Sequence, residues 1–516
     1  MKRNFFSLSL LLAWMAFAPG AMAQVVNPVL PTDFSDPDVI RVGEKYYMTC
    51  SEFHYMGMPI LESDNLVDWR VIAQVYDSIP LPGYGSMQRY AQGTWAPTLR
   101  YHDGKFWIFV CTPYDGLFMT TAEHPEGPWE PLYCVKKVEK WEDPCPFWDE
   151  DGQAYLGHSL HGAGPIIVHR MSPDGRQLLD DGVVVYRGPV AEGTKFHKRD
   201  GWYWLSIPEG GVGTGWQMAL RSRSIYGPYE GRRVLEQGST DVNGPHQGAL
   251  VDTPDGNWWF FHFQDTQPLG RIVHIQPVVW EKDSFPRIGI DYDGNGIGEP
   301  VRVVEGLSRH DRRGGYVGDE VTSFTDLQWQ WNHNPRLANV QVRSTSLRLR
   351  SLPARHVREA LNQYTLKTYG FESRATVTLC YAAMKPGQRA GLECLGRTFR
   401  AVGVEMREEN GKRCPYVYTE TNDEVVTYAL LPFTGTEADK VQLTLTINSA
   451  ENRHQFWFST DGYSRRSCGP EFSQRTGDWK GSRVGLFTYH LTEADGKPVG
   501  ESGEAEFVNV RYEVEK

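Results

Sequence analysis

The sequence predicts an all-β protein: a five-bladed β-propeller followed by a β-sandwich. Three observations carry this. A Gly-centred turn followed by an aromatic-rich strand recurs five times in the first 265 residues. Short alternating strands dominate, and no amphipathic helix exceeds about three turns. Near residue 280 the repeat stops, and a second strand-rich region without it begins at about residue 321.

The five copies are Gly43-Glu44-Lys45-Tyr46-Tyr47, Asp103-Gly104-Lys105-Phe106-Trp107, Asp151-Gly152-Gln153-Ala154-Tyr155, Asp200-Gly201-Trp202-Tyr203-Trp204 and Asp255-Gly256-Asn257-Trp258-Trp259. Their glycines stand 48 to 61 residues apart. Strand–turn–strand units at such a period stack as propeller blades. If each copy is one blade, the strand before the turn is the innermost. Seven to ten residues upstream of each glycine lie Asp36, Trp95, Asp143, Glu192 and His246, which would converge on one axis.

The outer strands follow from alternation and turn punctuation. Trp107-Ile108-Phe109-Val110, Ile166-Ile167-Val168-His169, Val183-Val184-Val185-Tyr186 and Trp258-Trp259-Phe260-Phe261 are separated by Asp-Gly, Pro-Gly and Gly-Pro steps. Residues 24–305 are expected to form the propeller, 306–320 a polar linker and 321–516 the sandwich. The sandwich strands include Leu347-Arg348-Leu349-Arg350, Val377-Thr378-Leu379-Cys380, Val441-Gln442-Leu443-Thr444-Leu445-Thr446 and Val484-Gly485-Leu486-Phe487-Thr488-Tyr489.

Composition narrows the partners. Lys2 and Arg3, an apolar run over residues 5–18 and Ala21-Met22-Ala23 read as a signal peptide over residues 1–23. The protein is expected to be exported, to periplasm or extracellular medium, with no membrane partner. A net charge of −11 without Lys/Arg blocks argues against nucleic acid. Seventeen Trp and 25 Tyr are more than a core usually uses, and such rings line sugar-binding clefts. Eight cysteines without a CxxC pair read as buried free thiols, with Cys134–Cys145 the one pairing left open.

Asp36 and Asp143 each precede a proline at an inner-strand start, so no N–H from the next residue competes for the carboxylate. Glu209 precedes Gly210-Gly211, which lets the backbone bend tightly around it. Glu192 is the competing acid on the same blade. Three carboxyls suit glycoside hydrolysis: one protonated to assist departure, one ionised to activate water, and a third to keep the acid protonated. His246 reads either as a core histidine or as an axial group near a structural cation or a bridging water. Arg271 would neutralise acids and bind sugar hydroxyls, or form a structural ion pair. Phe53 and Trp95 would wall the pocket. No cofactor or catalytic metal is expected. Asp291-Tyr292-Asp293-Gly294-Asn295-Gly296 resembles half a calcium loop, but Arg302 stands where the closing Glu belongs, so it reads as a tight turn. HExxH, GxSxG and GxGxxG patterns are absent.

In order, Asn27-Pro28-Val29-Leu30-Pro31, Asp33-Phe34-Ser35-Asp36-Pro37-Asp38, Trp95-Ala96-Pro97-Thr98-Leu99-Arg100-Tyr101, Asp143-Pro144, Pro208-Glu209-Gly210-Gly211 and Ile275-Gln276-Pro277-Val278-Val279-Trp280 resemble glycoside hydrolase family 43. Leu327-Gln328-Trp329-Gln330-Trp331-Asn332-His333-Asn334-Pro335 and Gly485-Leu486-Phe487 resemble the lectin-like jelly-roll sandwich of its two-domain β-xylosidases and α-L-arabinofuranosidases. The resemblance implies Asp36 as general base, Glu209 as general acid and Asp143 as its orienter and pKa modulator. His246 and Arg271 fall at an axial His and a substrate-binding Arg. It implies an exo-acting, inverting hydrolase that releases terminal α-L-arabinofuranose or β-D-xylose from plant hemicellulose or pectin side chains. Base and acid would then stand ~6.5–9.5 Å apart. Departures occur at Asp36-Pro37-Asp38 and at Glu192-Gly193-Thr194-Lys195, which leaves the role of Glu192 open. The alternatives are a non-catalytic carbohydrate-binding propeller and a β-fructosidase. The second lacks its motifs, because Ser35 precedes Asp36 and Gly210 follows Glu209.

Overall fold

The computed structural model describes residues 24–86, 89–310, 314–422, 424–493 and 496–515. The signal peptide read in residues 1–23 lies outside the described residues. All five repeat glycines adopt positive φ, from 63° at Gly43 to 86° at Gly256, so each closes a tight hairpin that a side chain would strain. Four blades are four-stranded antiparallel sheets taken in chain order. Their inner strands are Asp38–Val42, Trp95–His102, Trp141–Trp148 and Lys195–Arg199.

Blade 5 starts with His246–Asp252, continues through Trp258–Thr266 and Gly270–Trp280, and is completed by Leu30–Asp33 from the beginning of the propeller. Leu30 pairs with Val273 and Asp33 with Ile272. This closure locks the ring. It also seats Asp33 against the Arg271 N–H at 3.1 Å, three residues before Asp36. The aromatic second strands pack between blades: Phe261 is fully buried and meets Trp69 of blade 1 edge-on at 5.7 Å.

The innermost strands do not start as regular β. Asp36, Ala96, Asp143, Gly193 and Gln247 all have positive φ, and the pairing shifts register between Trp95 and Thr98, Glu142 and Cys145, and His246 and Gly248. Each such bulge interrupts the regular alternation of side chains between the two faces of the strand. The five residues expected on the axis therefore belong to two adjacent backbone positions. Asp36 and Asp143 occupy the left-handed one, whereas Trp95, Glu192 and His246 occupy the one before it.

The second domain is a sandwich of one eight-stranded and one seven-stranded sheet among the described residues. Glu372–Cys380 alternates exposed and buried positions, as a strand with one face on the core must. The sandwich core is continuous with blades 1 and 5, because Phe34, Trp69 and Phe261 belong to one cluster with Leu366, Leu379 and Leu445. Val303–Ser308 returns to pair with Gln24–Val26. All eight cysteines are free. Cys134 is exposed on the outer strand of blade 2 and Cys145 buried on the inner strand of blade 3, so they do not pair; Cys380 and Cys414 are half-buried. The calcium-like segment is a turn whose Asp291 carboxylate accepts the N–H groups of Gly294 and Gly296.

Polar groups also cross the seam. Glu52 of blade 1 meets Lys367 and Arg483 at 2.6 Å each and Lys480 at 3.5 Å; Asp33 meets Lys480 at 3.1 Å. Burial by itself would raise both carboxyls, but the sandwich cations outweigh it and hold both below the usual carboxylate range. Phe261→Ala is expected to cost about 3–5 kcal/mol, read as a lower midpoint in urea unfolding, because it opens a cavity where blades 1 and 5 meet.

Candidate active site

The three acids of Asp33-Phe34-Ser35-Asp36-Pro37-Asp38 go to three places. Asp33 joins the domain seam. Asp38 lies in the axial channel, paired with Arg100 at 2.8 Å and Lys195 at 3.5 Å. Asp36 lines a cleft of about 270 Å³ at one mouth of the channel. A larger funnel, about 430 Å³, opens at the other mouth. Its carboxylates are tied up in Arg41–Asp252 and Lys198–Asp149 pairs, whereas Glu142 and Glu192 of the smaller cleft have no ion pair among the described residues.

Asp36 is held from both sides. Arg271 donates to its Oδ1 at 2.7 Å and the Ser51 hydroxyl to its Oδ2 at 2.6 Å. Asp143 accepts the Gly193 N–H at 2.6 Å and the Ser159 hydroxyl at 3.2 Å on one oxygen, and the Gln247 amide at 3.4 Å on the other. Oxygen atoms of Glu142, Asp143 and Glu192 all lie within 4.8 Å of one another. Three carboxyls so close in a buried cleft cannot all be ionised. Burial and the Asp143 and Asp36 charges push Glu192 up to about 8, with Arg271 opposing. Burial and its two acidic neighbours, Asp143 first, raise Glu142 further. Asp143 is raised less, because the Gly193 N–H and Lys195 favour its charged form against burial.

The walls are aromatic. Trp95 meets Phe53 at 5.4 Å, His161 at 5.1 Å and Trp479 at 6.2 Å, all edge-on. Trp479 comes from the sandwich, is half exposed, and lines the same cleft. Of the sequence-selected residues, Asp36, Asp143, Trp95, Phe53 and Arg271 line the cleft together, as does Glu192.

Two selected residues stand elsewhere. Glu209 ends the second strand of blade 4, one strand away from the axis, and is not among the cleft-lining residues. Its oxygens accept the Tyr186 hydroxyl at 2.7 Å and the Trp216 indole N–H at 3.2 Å. The Glu-Gly-Gly turn bends as expected, but its carboxylate is held between Tyr186 of blade 3 and Trp216 of blade 4. His246 is fully buried beneath the cleft, edge-on to Phe263 at 5.3 Å, and Gln247 takes the cleft-facing position. Among the described residues, no set of three ligand-type side chains gathers round His246.

Glu142 and Trp479 escaped the sequence reading. Aligning Glu142-Asp143 with Glu192-Gly193 and His246-Gln247 would have found the first. Nothing in the repeat points to the second.

A propeller whose channel mouth holds crowded carboxyls between aromatic walls defines a carbohydrate-cleaving class of protein. The family model for glycosyl hydrolases family 43 matches residues 25–286, and a β-xylosidase C-terminal concanavalin A-like domain matches residues 322–513. The chain belongs to glycosyl hydrolases family 43. It is 51% identical over 460 residues to a putative beta-xylosidase of Xylanibacter ruminicola, covering 89% of this chain and 86% of that one. It is 33% identical to a beta-xylosidase of Formosa agariphila, covering 91% and 88% of the two chains. Similarity to a non-reducing end alpha-L-arabinofuranosidase of Bacteroides ovatus is 27%, covering 88% and 89%. The solved bifunctional GH43-CE protein of Bacteroides eggerthii superposes with a TM-score of 0.81 at 27% identity; the match covers 96% of this chain and 64% of that protein's length. Xylan beta-1,4-xylosidase of Bacillus halodurans shares the fold, with a TM-score of 0.77 at 23% identity over 95% of this chain and 100% of that one.

Two outcomes are expected. Trp479→Ala should raise KM for a nitrophenyl glycoside about tenfold, the loss of ~1.4 kcal/mol of ring contact, with a smaller change in kcat. Glu142→Gln should stabilise the protein increasingly as pH rises. The folded Glu142 carboxyl titrates above its unfolded value, so its protonation-linked stability is full at low pH and is lost as pH climbs through about 9. Gln cannot ionise, and thermal unfolding between pH 6 and 9 measures the difference.

Proposed function

We propose that the protein is an exo-acting, inverting β-D-xylosidase with Asp36 as general base, Glu192 as general acid and Asp143 as the group that orients and tunes the acid. The observation that carries this reading is the position of Glu192. It stands in the cleft under the combined charge of Asp143 and Asp36, raised so that it holds its proton at neutral pH. A general acid needs that state. Glu142 is raised as well, but Asp143 and Glu192 are its largest acidic influences and Asp36 the least, and its Oε1 already accepts the Ala163 N–H at 3.4 Å. For Glu192, Asp36 follows burial and Asp143 as a cause of the rise, ahead of any donor, which fits a group facing the base across a bound sugar.

In this reading a water held by Asp36 attacks the anomeric carbon while the glycosidic C–O bond breaks. Asp36 takes the water proton, and Glu192 gives its own to the departing oxygen. Arg271 anchors Asp36 throughout. The two relatives named for β-xylosidase activity are the more similar ones, which favours xylose over arabinofuranose. A cleft of about 270 Å³ walled by Trp95, Phe53 and Trp479 suits one terminal pentose, hence exo action on plant hemicellulose. The reading of residues 1–23 as an export signal supports a location outside the cytoplasm, where such polymers are met.

Proton NMR of nitrophenyl β-D-xyloside hydrolysis tests the mechanism, because the transferred unit is its only xylose. α-Xylose should appear first, and initial β-xylose would overturn single displacement; arabinose released faster from an arabinofuranoside than xylose from a xyloside would overturn the sugar. Glu192→Gln should lower kcat on xylobiose by roughly 10²- to 10⁴-fold, and much less on β-xylosyl fluoride, whose leaving group needs no proton. Glu209→Gln should not show that split. In wild type, kcat/KM should fall as pH rises through about 8, because the acid acts only while protonated, and this limb should vanish in Glu192→Gln.

A further inference from the structure

A short sandwich segment reaches into the propeller beneath the proposed base. Gly477 and Lys480 exchange backbone hydrogen bonds at 2.9 and 3.0 Å, forming a tight turn that leaves Trp479 in the cleft and buries Lys480 below it. The segment is seated closely: a Cβ on Gly481 would lie 1.9 Å from the Leu269 carbonyl oxygen. Lys480 Nζ donates to the Ser51 carbonyl at 2.9 Å and pairs with Asp33 Oδ2 at 3.1 Å. The Gly481 N–H donates to the same Asp33 oxygen at 2.9 Å.

Both residues that Lys480 grips lead to Asp36. The Ser51 hydroxyl donates to Asp36 Oδ2 at 2.6 Å and accepts the Ala96 N–H at 2.6 Å. Asp33 Oδ1 accepts the Arg271 N–H at 3.1 Å, and the Arg271 guanidinium donates to Asp36 Oδ1 at 2.7 Å. Each oxygen of Asp36 is therefore aimed by a group clamped, at one remove, to the same ammonium. Asp36 itself sits at φ 55°, a conformation that its surroundings must enforce. An ammonium with three donors in a fixed, buried place can do this.

We propose that Lys480 of the sandwich is a positioning residue for Asp36, acting through Ser51 on one oxygen and through Asp33 and Arg271 on the other. The inference rests on the reading of Asp36 as the base, and it makes the second domain part of the catalytic apparatus. Lys480 touches no substrate in this role. Its loss misaims the base rather than removing it.

The test compares Lys480→Met with Arg483→Met in the full chain. Each removes one buried cation from the seam, but Arg483 contacts Glu52, Gln330 and Thr365 and neither Asp33 nor Ser51. Both variants should unfold at lower temperature. At a temperature where both remain folded, Lys480→Met should lower kcat roughly 10- to 100-fold with little change in KM. It should also move the acid-side limb of the kcat/KM profile to higher pH, while Arg483→Met should leave that limb in place. Lys480→Arg should recover much of the loss. Ser51→Ala, which spares every seam ion pair, should lower kcat about tenfold and keeps the idea testable if Lys480→Met does not fold. Equal kcat losses and unmoved limbs in Lys480→Met and Arg483→Met would reduce Lys480 to a structural ion, as would an unaffected Ser51→Ala. Asp36→Asn separates the two layers. If it retains turnover, the base assignment fails; if it is inactive while Lys480→Met turns over normally, only the positioning role fails.

Discussion

Burial of carboxyl groups is the constraint that the rest of this molecule answers. A carboxylate removed from water must find a cation, collect N–H and O–H donors, or keep its proton. The chain uses all three. Asp33 has Lys480, Asp36 has Arg271, Asp38 has Arg100 and Lys195, and Glu52 has Lys367 and Arg483. Glu142 and Glu192 have no such partner among the described residues and are pushed up, with burial the largest cause. Asp143 stands between these extremes, with donors on both oxygens. One cleft thus contains an ion-paired carboxylate beside carboxyls without a cation, the contrast that the proposed acid–base roles use.

The ring geometry makes that contrast achievable. Closure of blade 5 by Leu30–Asp33 places the chain's first acids beside Arg271, some 235 residues away. The bulges at the inner-strand starts then break the alternation of side chains, so Glu142 and Asp143 both reach the cleft although they are adjacent. A regular strand would have sent one of them to the opposite face. The left-handed backbone at Asp36 and Asp143 is part of the same device.

The sandwich is more than an appended domain. Its apolar core runs into blades 1 and 5 without a break, its cations neutralise Asp33 and Glu52, and Trp479 stands in the cleft wall. Buried ion pairs of this kind add little net stability compared with well-packed apolar groups. Their value lies in geometry, because each pair tolerates only one relative placement of the two domains. That placement sets the shape of the cleft.

Much of this was legible in the residues. The repeated turn with its glycine marks five hairpins, since positive φ is a local demand that glycine meets wherever it stands. Aromatic alternation marks the strands, and Asp-Pro steps mark two inner-strand starts, so the propeller, the sandwich and the roles of Asp36, Asp143, Arg271, Trp95 and Phe53 in lining one site could be read directly. Which of two adjacent residues faces the axis depends on a bulge in the strand pairing, and that is why Glu142 was missed and why Gln247, not His246, lines the cleft. Whether Glu192 or Glu209 lines the cleft turned on radial distance from the axis, a property of the closed ring. Trp479 and Lys480 lie more than 400 residues from Ser51 and Asp36. No local pattern joins them, because their contact exists only after two separately folded layers bury a common face.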